Sequence, residues 1–364
     1  MIKSKKLLAI GVIAALGLAA CGSDDDTGSA STDAPDGTEA PGATEAPGAT
    51  DAPAGDGATV GVVFDITGRG DRSFNDAAGA GLDQAKDELG VSGLESTPTG
   101  DGDRAERVQG LVDEGAGLVI GVGFLFGDSI TAVATADPDT SFAIIDSVVD
   151  LPNVASLVFA ENEGSFLVGA AAALKSQTGT IGYIGGVEND LIQKFEAGYV
   201  AGAKAVDPDI EVLVNYISQP PDFSGFNDPA KAKELAAAQY EAGADVVYHA
   251  AGGSGLGVFE AAAAAGAPGE VWAIGVDSDQ YVTASADVQP YILTSMLKKV
   301  DVATFQTIKA FNDGSFAGGV QVFDVASDGV GYSKSGGFVD DIADQLDEYA
   351  AQIASGEITV PEAP

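Results

Sequence analysis

From Thr59 onward, short continuous apolar runs alternate with longer segments in which apolar positions recur at helical spacing. The apolar runs predict strands at 60–64, 118–122, 141–145, 154–159, 180–184, 211–217, 245–250 and 271–276. The segments between them predict helices at 75–89, 163–175, 191–206, 229–241 and 257–265. Because strands that are apolar on both faces must be covered on both faces, this pattern predicts an α/β fold with parallel sheets.

The alternation changes near the C-terminus, and the length of the patterned region indicates two lobes. The later predicted strands are 292–298, 320–325 and 331–333, and the later predicted helices are 301–312 and 338–354. Roughly 300 patterned residues exceed one typical domain, so we predict two α/β lobes with a ligand cleft between them. We expect one lobe at about 58–160 with part of 279–354, the other at about 161–278 with the remainder, and a tail at 355–364.

The first 57 residues differ in character from the rest of the chain. A basic start precedes the apolar run 7–20, which is shorter than the roughly 20 residues of a membrane-spanning helix, so 1–20 predicts a signal peptide. Its end, Leu18-Ala19-Ala20-Cys21, resembles the lipobox of bacterial lipoproteins and implies cleavage before Cys21 and lipidation of its thiol. The alternative is an ordinary secretory signal with an incidental cysteine. Residues 22–57 are acidic and rich in Pro, Gly, Ala and Thr, which predicts a disordered tether.

Composition excludes several classes of function. Acidic residues outnumber basic ones by 55 to 17, and a net charge of −38 disfavours nucleic acid and anionic lipid surfaces as partners. Cys21 is the only cysteine and His249 the only histidine, which leaves no intrachain disulfide and little material for Ser-His-Asp or Cys-His catalysis. We therefore expect no metal, no cofactor, and contact with a membrane only through the N-terminal lipid.

Three predicted strands are followed or ended by an acidic residue, namely Asp65, Asp146 and Asp277. Ligands of open parallel sheets bind at the carboxyl ends of the strands, and carboxylates accept hydrogen bonds from ribose hydroxyls or base N–H groups. Two glycine turns, Gly185-Gly186 and Gly252-Gly253, also follow strands and would let the backbone approach a ligand closely. The alternative is that each acid caps the next helix.

The loop after the first strand places Phe74 beside Asn75 at the start of a predicted helix. In one interpretation the ring stacks on a flat ligand while Asn75 bonds the edge of that ligand. In the other, Phe74 packs the helix start against the core and Asn75 caps the helix. The pattern alone favours neither interpretation.

The same loop carries a more specific signal. The segment Gly70-Asp71-Arg72-Ser73-Phe74-Asn75 resembles the Asp-Lys/Arg-Ser-Phe-Asn signature of the basic membrane protein family, whose members are lipoproteins that bind nucleosides for ABC importers. Further segments resemble that family, in order, at 142–146, 161–169, 195–199, 245–253, 274–280 and 293–298. One departure is 219–226, which is rich in Pro and Asp where the family usually has a short Gly-Ser-Phe segment.

The resemblance implies a type I periplasmic-binding-protein fold, in which two Rossmann-like lobes close over a ligand in the cleft between them. It also implies a set of ligand contacts. The implied residues are Phe74 and Tyr248 for stacking, Asp65, Asn75 and Asp146 for the base, Gly253, Asp277 and Lys298 for the ribose, and Asp128 and Phe195 as second-tier candidates. Lys299 remains an alternative to Lys298, because a shift of one residue at the strand end exchanges them.

We therefore expect a lipid-anchored, extracytoplasmic and monomeric solute-binding protein, and no enzyme. It would deliver a nucleoside, with a purine base expected, to the permease subunits of an ABC importer. One rival is a dinucleotide-dependent enzyme, since Gly253-Ser254-Gly255-Leu256-Gly257 followed by Asp277 imitates the dinucleotide fingerprint with one residue too few. A second rival is a protein of the same fold that binds a sugar or signalling molecule, and a third is a surface sensor without a transporter.

Overall fold

The computed structural model describes residues 57–100 and 102–364. The predicted signal peptide 1–20, Cys21 and the predicted tether up to residue 56 lie outside these residues. Within the described part, no helix combines the length and the apolar character that a membrane span requires.

Strands and helices alternate through most of the described chain. The strands are β1 Thr59–Val63, β2 Ser92–Ser96, β3 Leu118–Gly121, β4 Ser141–Ile145, β5 Val154–Phe159, β6 Thr180–Val187, β7 Glu211–Ser218, β8 Val246–Ala250, β9 Trp272–Asp277, β10 Ile292–Lys298, β11 Gly319–Phe323 and β12 Val330–Tyr332. The helices are α1 Phe74–Leu89, α2 Arg104–Asp113, α3 Gly127–Ala136, α4 Glu161–Lys175, α5 Asp190–Val206, α6 Pro229–Glu241, α7 Leu256–Ala265, α8 Gln280–Thr283, α9 Val300–Asn312 and α10 Ala343–Ala354.

The strands form two six-stranded sheets with the same order of connections. The first sheet runs β11-β5-β4-β3-β1-β2 and all its neighbouring strands are parallel. The second runs β12-β10-β9-β8-β6-β7 and is parallel except between β10 and β12. Leaving out the added edge strands, each sheet has the doubly wound order 2-1-3-4-5. The predicted α/β fold is therefore confirmed, with one sheet parallel throughout and the other parallel except at its edge strand β12.

Each sheet and the helices packed against it form one lobe. The first lobe contains the first sheet with α1, α2, α3 and α9, and the second lobe contains the second sheet with α4 to α8 and α10. The chain passes between the sheets three times, after β5, after β10 and after β11. These three crossings keep the strand ends of the two sheets next to each other, so a site can form between them.

Four of the described elements were not predicted from the pattern of apolar residues, namely β2, α2, α3 and the four-residue helix α8. The strand β2 lies at an open edge of the first sheet, so its residues Ser92–Ser96 are exposed or half-buried and need no apolar run. The helices α2 and α3 bury only three residues each, so their apolar stripes are narrow. The predicted helix 338–354 begins only at Ala343, because the preceding residues form turns after Gly336 and Gly337.

Glycines allow α4 and α5 to pack with their backbones in contact. A Cβ atom at Gly202 would lie 1.9 Å from the carbonyl oxygen of Phe166, and one at Gly198 would lie 2.0 Å from that of Asn162. Neither carbonyl is a flexible group that could move aside, because both belong to the facing helix α4. The close approach of these two helices therefore depends on the missing side chains.

We expect the substitution Gly202→Ala to lower the free energy of unfolding by roughly 1–3 kcal/mol, because the new methyl group overlaps a helix backbone. The matched control is Gly110→Ala in the middle of α2, where a Cβ meets no atom within 4 Å. That change should raise stability by about 0.5–1 kcal/mol through the better helix propensity of alanine. Urea unfolding of both variants measures the two effects, and equal midpoints would contradict the packing account.

Candidate ligand-binding site

A cavity lies between the two lobes at the carboxyl ends of their strands, and its free space of about 640 Å³ includes the solvent at its mouth. Sites for small molecules commonly lie in clefts of this kind between lobes. The polar side chains that line it are Asp65, Thr67, Asp71, Asn75, Asp146, Asp277 and Lys298. The larger apolar side chains that line it are Phe74, Val122, Phe124, Leu125, Leu191, Ile192, Phe195, Phe226 and Val276.

The position of the cavity follows from the order of the strands. In a 2-1-3-4-5 sheet, the connections diverge between the first and third strands and leave a crevice at their carboxyl ends. In the first lobe this point lies between β1 and β3, which are followed by the lining residues Asp65 and Phe124. In the second lobe it lies between β6 and β8, and Ala250 at the end of β8 lines the cavity. The two crevices face each other and form one site.

Lys298, the last residue of β10, carries a deeply buried ammonium group at this site, since its side chain is 2% exposed. Its Nζ lies 2.6 Å from the carboxylate of Asp146 in the first lobe and 3.2 Å from Oε1 of Glu161, the first residue of α4. Three rings flank the ammonium at centroid distances of 5.0 to 5.6 Å, namely Phe159, Phe74 and Phe195. The ammonium is thus held by carboxylates and by ring faces.

Burial and the local excess of acids shift the titration of these groups. Burial raises the pKa of Glu161 to about 7 and that of Asp277 to about 6, although Lys298 opposes both shifts. Burial alone would lower the pKa of Lys298, but Asp146, Glu161 and Asp277 outweigh it, and the pKa of Lys298 is raised. Lys298 therefore stays charged at neutral pH, whereas Glu161 and Asp277 titrate not far from it.

Asp277 joins the lobes through the loop that precedes α1. The Ser73 hydroxyl donates to Oδ2 of Asp277 at 2.7 Å and contacts the carbonyl oxygen of Val276 at 3.1 Å. In the reverse direction, the Ser278 hydroxyl donates to the carbonyl oxygen of Ser73 at 2.9 Å, and Nε2 of Gln280 donates to that of Arg72 at 3.1 Å. These bonds close one side of the cavity by direct contact between the lobes.

Two of the acids occupy the same place in the two sheets. Asp146 follows β4 and Asp277 ends β9, and these strands hold equivalent positions in the strand order. Both residues have left-handed backbone angles, with φ of 66° for Asp146 and 63° for Asp277. Aspartate adopts this conformation more readily than most residues that carry a Cβ. The chain therefore bends at both strand ends, and both carboxylates line the cavity.

The loop between β1 and α1 is ordered by its own hydrogen bonds. The Asp71 carboxylate accepts from the backbone N–H groups of Ser73, Asn75 and Asp76 at 2.8 to 3.1 Å, and from Nδ2 of Asn75 at 3.0 Å. Asn75 also donates to Oγ1 of Thr67 at 2.7 Å and accepts from the backbone N–H of Asp65 at 3.0 Å. Both hydrogens of the Asn75 amide are thus used within the loop, although the residue lines the cavity.

Seven of the residues that were predicted to contact a ligand line the cavity together. They are Asp65, Phe74, Asn75, Phe195, Asp146, Asp277 and Lys298. The two lysines differ in position, because Lys298 lines the cavity, whereas Lys299 is partly exposed and pairs with Asp328. Asp65 has Oδ1 bonded to the backbone N–H of Thr67, while Oδ2 lies near Gly123, which also lines the cavity.

Tyr248, one residue of the predicted stacking pair, does not line the cavity. It is fully buried in the second lobe, where its ring lies 5.1 Å from that of Tyr199 and its hydroxyl is 3.2 Å from the Ser165 hydroxyl. Ala250, two positions later on the same face of β8, is the residue that reaches the cavity. Tyr248 therefore lies further from the cavity along β8 than Ala250 does.

Two other nominated residues also lie outside the cavity lining. Gly252, and not the predicted Gly253, lines the cavity. A Cβ atom added at Gly253 would lie 3.7 Å from the Cβ of Asp71. Asp128 lies in the first turn of α3, where an acid interacts favourably with the helix dipole.

Two aromatic residues that were not predicted from the sequence line the cavity from opposite lobes. Phe124 follows β3 in the first lobe, and the strand-end rule that selected Asp65 would have found it. Phe226 follows β7 in the second lobe and ends the 219–226 segment that departs from the family pattern. The ring of Phe124 packs edge-on at 6.0 Å from Phe223 and 6.4 Å from Phe226, so aromatic contacts also join the lobes.

The buried Asp277 makes stability depend on pH in a defined direction. Its pKa rises from 3.8 to about 6 on folding, so the stabilisation is complete below about pH 4 and is lost as the pH rises through about 6. Relative to Asp277→Asn, the wild-type protein should lose about 2–3 kcal/mol of unfolding free energy between pH 4 and 7. Urea unfolding across this range measures the difference.

The exposed Asp222 provides the control for this pH series. Hydrogen bonds from Ser224 lower the pKa of Asp222, so Asp222→Asn, which keeps Asp277, should lose stability with rising pH as the wild type does. Parallel pH courses for the wild type and Asp277→Asn would contradict the assignment.

Two known proteins are similar to this chain over most of its length. The "CD4+ T-cell-stimulating antigen" of Listeria monocytogenes is 36% identical over 325 residues, covering 84% of this chain and 88% of that protein. The "ABC transporter nucleoside-binding protein BmpA" of Lactococcus lactis is 37% identical over 317 residues, covering 82% of this chain and 88% of that protein.

The fold is shared with solved solute-binding proteins. The crystal structure of an ABC transporter solute-binding protein from Aeropyrum pernix superposes with a TM-score of 0.73 at 29% identity, covering 84% of this chain and 94% of that one. The predicted binding-protein fold is thereby confirmed. The family described as "ABC transporter substrate-binding protein PnrA-like" and named Bmp matches residues 58–363. The chain therefore belongs to the Bmp family of ABC transporter substrate-binding proteins.

Proposed function

We propose that this substrate-binding protein carries a nucleoside, with a purine base, to the permease of an ABC importer. The observation that supports this most directly is the composition of the cavity, in which aromatic rings from both lobes stand beside buried carboxylates and one lysine. A nucleoside has a flat apolar face and a hydroxyl-bearing sugar, so it needs both kinds of contact. The similarity to a Lactococcus lactis protein named for nucleoside binding agrees with this choice.

The base would be held between Phe74 of the first lobe and Phe226 of the second. Both rings line the cavity, and Phe124 extends the aromatic wall between them. Stacking of a base on an aromatic side chain contributes about 1–3 kcal/mol and tolerates any base. The edge of the base would be read by Asp65, whose carboxylate is oriented by Thr67 and whose backbone N–H is held by Asn75. Asn75 would then act mainly by ordering the loop.

The ribose would bind at the buried end, beside Asp146, Asp277 and Lys298. Carboxylates accept hydrogen bonds from sugar hydroxyls and an ammonium group donates to them, and such charge-assisted bonds are stronger than neutral ones. All three side chains are nearly excluded from solvent. Discrimination at this end would therefore be high, because a ligand without hydroxyls would leave buried charged groups unpaired.

The rival interpretation as a dinucleotide enzyme meets a steric objection at the glycine-rich turn. A Cβ at Gly255 would lie 1.9 Å from the ring of His249, and one at Gly257 would lie 1.9 Å from the carbonyl oxygen of Pro229. The Ser254 hydroxyl donates to the carbonyl oxygen of Gly225. These contacts are all with protein, so the two glycines serve packing within the second lobe and the proposal includes no enzymatic activity.

Anchoring through a lipid on Cys21, at the extracytoplasmic face of the cell membrane, completes the proposal. The basic and apolar start of the chain and the small residues before Cys21 support it. We propose that the protein acts as a monomer and that residues 22–57 link the lipid anchor to the folded lobes.

Isothermal calorimetry on the purified protein should show binding of purine nucleosides. Phe226→Ala should weaken that binding by roughly 1–3 kcal/mol through the loss of one stacking face. Phe316→Ala, which removes a half-buried ring outside the cavity lining, should leave affinity unchanged. Binding of sugars or peptides in place of every nucleoside would overturn the nucleoside proposal.

Lipid anchoring can be tested independently of the ligand. We expect Cys21→Ser to shift the protein from the membrane fraction to the soluble fraction of cells, because the modified thiol is lost while the folded lobes are unchanged. Metabolic labelling with a radioactive fatty acid should mark the wild type and not the variant. Equal labelling, or a variant that stays with the membrane, would contradict the anchor.

A further inference from the structure

Glu161 is a buried carboxylate that the binding site does not directly use. It is the first residue of α4, is 1% exposed, and does not line the cavity. Within the described residues, neither of its carboxylate oxygens accepts a hydrogen bond of good geometry. Burying a carboxylate in this way is costly unless an opposite charge compensates it. Its presence therefore requires an explanation.

The only cation in close contact with Glu161 in the described part of the chain is Lys298, at 3.2 Å from Nζ to Oε1. The same ammonium lies 2.6 Å from the carboxylate of Asp146, which does line the cavity. One ammonium group thus has two carboxylate neighbours, and a ligand in the cavity could reach only Asp146. The two carboxylates are therefore not equivalent towards a ligand.

The contact between Lys298 and Asp146 competes with a ligand. A bound hydroxyl or N–H group that donates to Asp146 needs an oxygen that now faces the ammonium, and a bound acceptor needs one of the three N–H donors of Lys298. Either event weakens the pair formed by Lys298 and Asp146. A buried ammonium that loses its counter-ion is strongly destabilised, so a second anion must already be in place.

We propose that Glu161 is a positioning residue, which holds Lys298 charged at the cavity while Asp146 is released to the ligand. This inference rests on the proposed nucleoside function. Glu161 follows the first crossing between the sheets and Lys298 precedes the second, and Glu161 does not line the cavity, so a ligand that contacts Asp146 does not reach Glu161. The N-terminal end of α4 stabilises the negative charge of Glu161.

Several charged and titratable groups face Glu161 from the elements packed around it. Lys298 at the end of β10 and Lys194 on α5 favour its ionised form, while burial and Asp146 after β4 favour the neutral form. Tyr248 on β8 also lies near Glu161, and burial keeps its hydroxyl protonated by raising its pKa, while Asp277 at the end of β9 acts on the same Lys298 ammonium. With a pKa raised to about 7, chiefly by burial, Glu161 gains or loses its charge within an experimentally convenient range.

The test compares dissociation constants for adenosine, guanosine and uridine at about pH 8 and about pH 5, measured by calorimetry on the full chain. For the nucleoside that binds best, Glu161→Gln should raise the dissociation constant roughly ten- to hundredfold at pH 8. The ratio of variant to wild type should approach one at pH 5, because the wild-type carboxyl is then neutral too. Glu163→Gln is the control on the same helix, and its ratio should stay near one, since Glu163 bonds the backbone N–H of Val325 and does not line the cavity.

The outcomes separate this inference from the function on which it rests. A ratio for Glu161→Gln that is large and equal at both pH values would mean a purely structural role, and a ratio of one throughout would mean none. Either result overturns the inference alone. If Glu161→Gln does not fold, Glu161→Asp replaces it in the test. Aspartate keeps the negative charge, so the affinity of this variant for the nucleoside should still fall between pH 8 and pH 5. An affinity that does not change with pH would overturn the inference. Failure of the wild type to bind any nucleoside overturns both proposals.

Discussion

The ammonium of Lys298 is removed from water where the two lobes meet, and a buried charge of this kind is stable only beside opposite charge. Asp146 supplies that charge from the end of a strand in the first lobe, and Glu161 supplies it from the helix that leads into the second. The three groups can meet only if the strand ends of both sheets converge. The ion pairs of Lys298 therefore stabilise the closed arrangement of the lobes, and that arrangement in turn brings the two carboxylates to Lys298.

The repeated topology explains why such convergence is possible. Both sheets follow the order 2-1-3-4-5, and equivalent strand ends face the same cavity. Asp146 and Asp277 hold equivalent positions and share a left-handed backbone, so each lobe turns one carboxylate inward at the same point of its fold. The acids then belong to different environments, because Asp146 faces Lys298 and Asp277 accepts from Ser73 of the opposite lobe. Equivalent positions in the two lobes thus provide two carboxylates that have different partners.

The sequence was informative wherever burial is continuous and less so at edges and between lobes. Buried strands such as β4 and β10 were predicted to the residue, because their apolar runs have sharp ends. The edge strand β2 carries no such run and was missed. The strand-end rule located Asp65, Asp146 and Asp277, but it could not tell Tyr248 in the core from Ala250 at the cavity. Phe226 approaches Phe124 only through the closing of two lobes, a contact that local pattern does not encode.

The hydrogen bonds around Asp71 have a thermodynamic consequence for recognition. The polar groups of the turn from Thr67 to Asp76 form hydrogen bonds with one another, so the turn is ordered without a bound ligand. Ordering a loop on association consumes conformational entropy, and a loop that is already rigid avoids that loss. The first lobe thus presents its half of the site already ordered. More of the free energy of ligand binding is then available to hold the second lobe closed against the first.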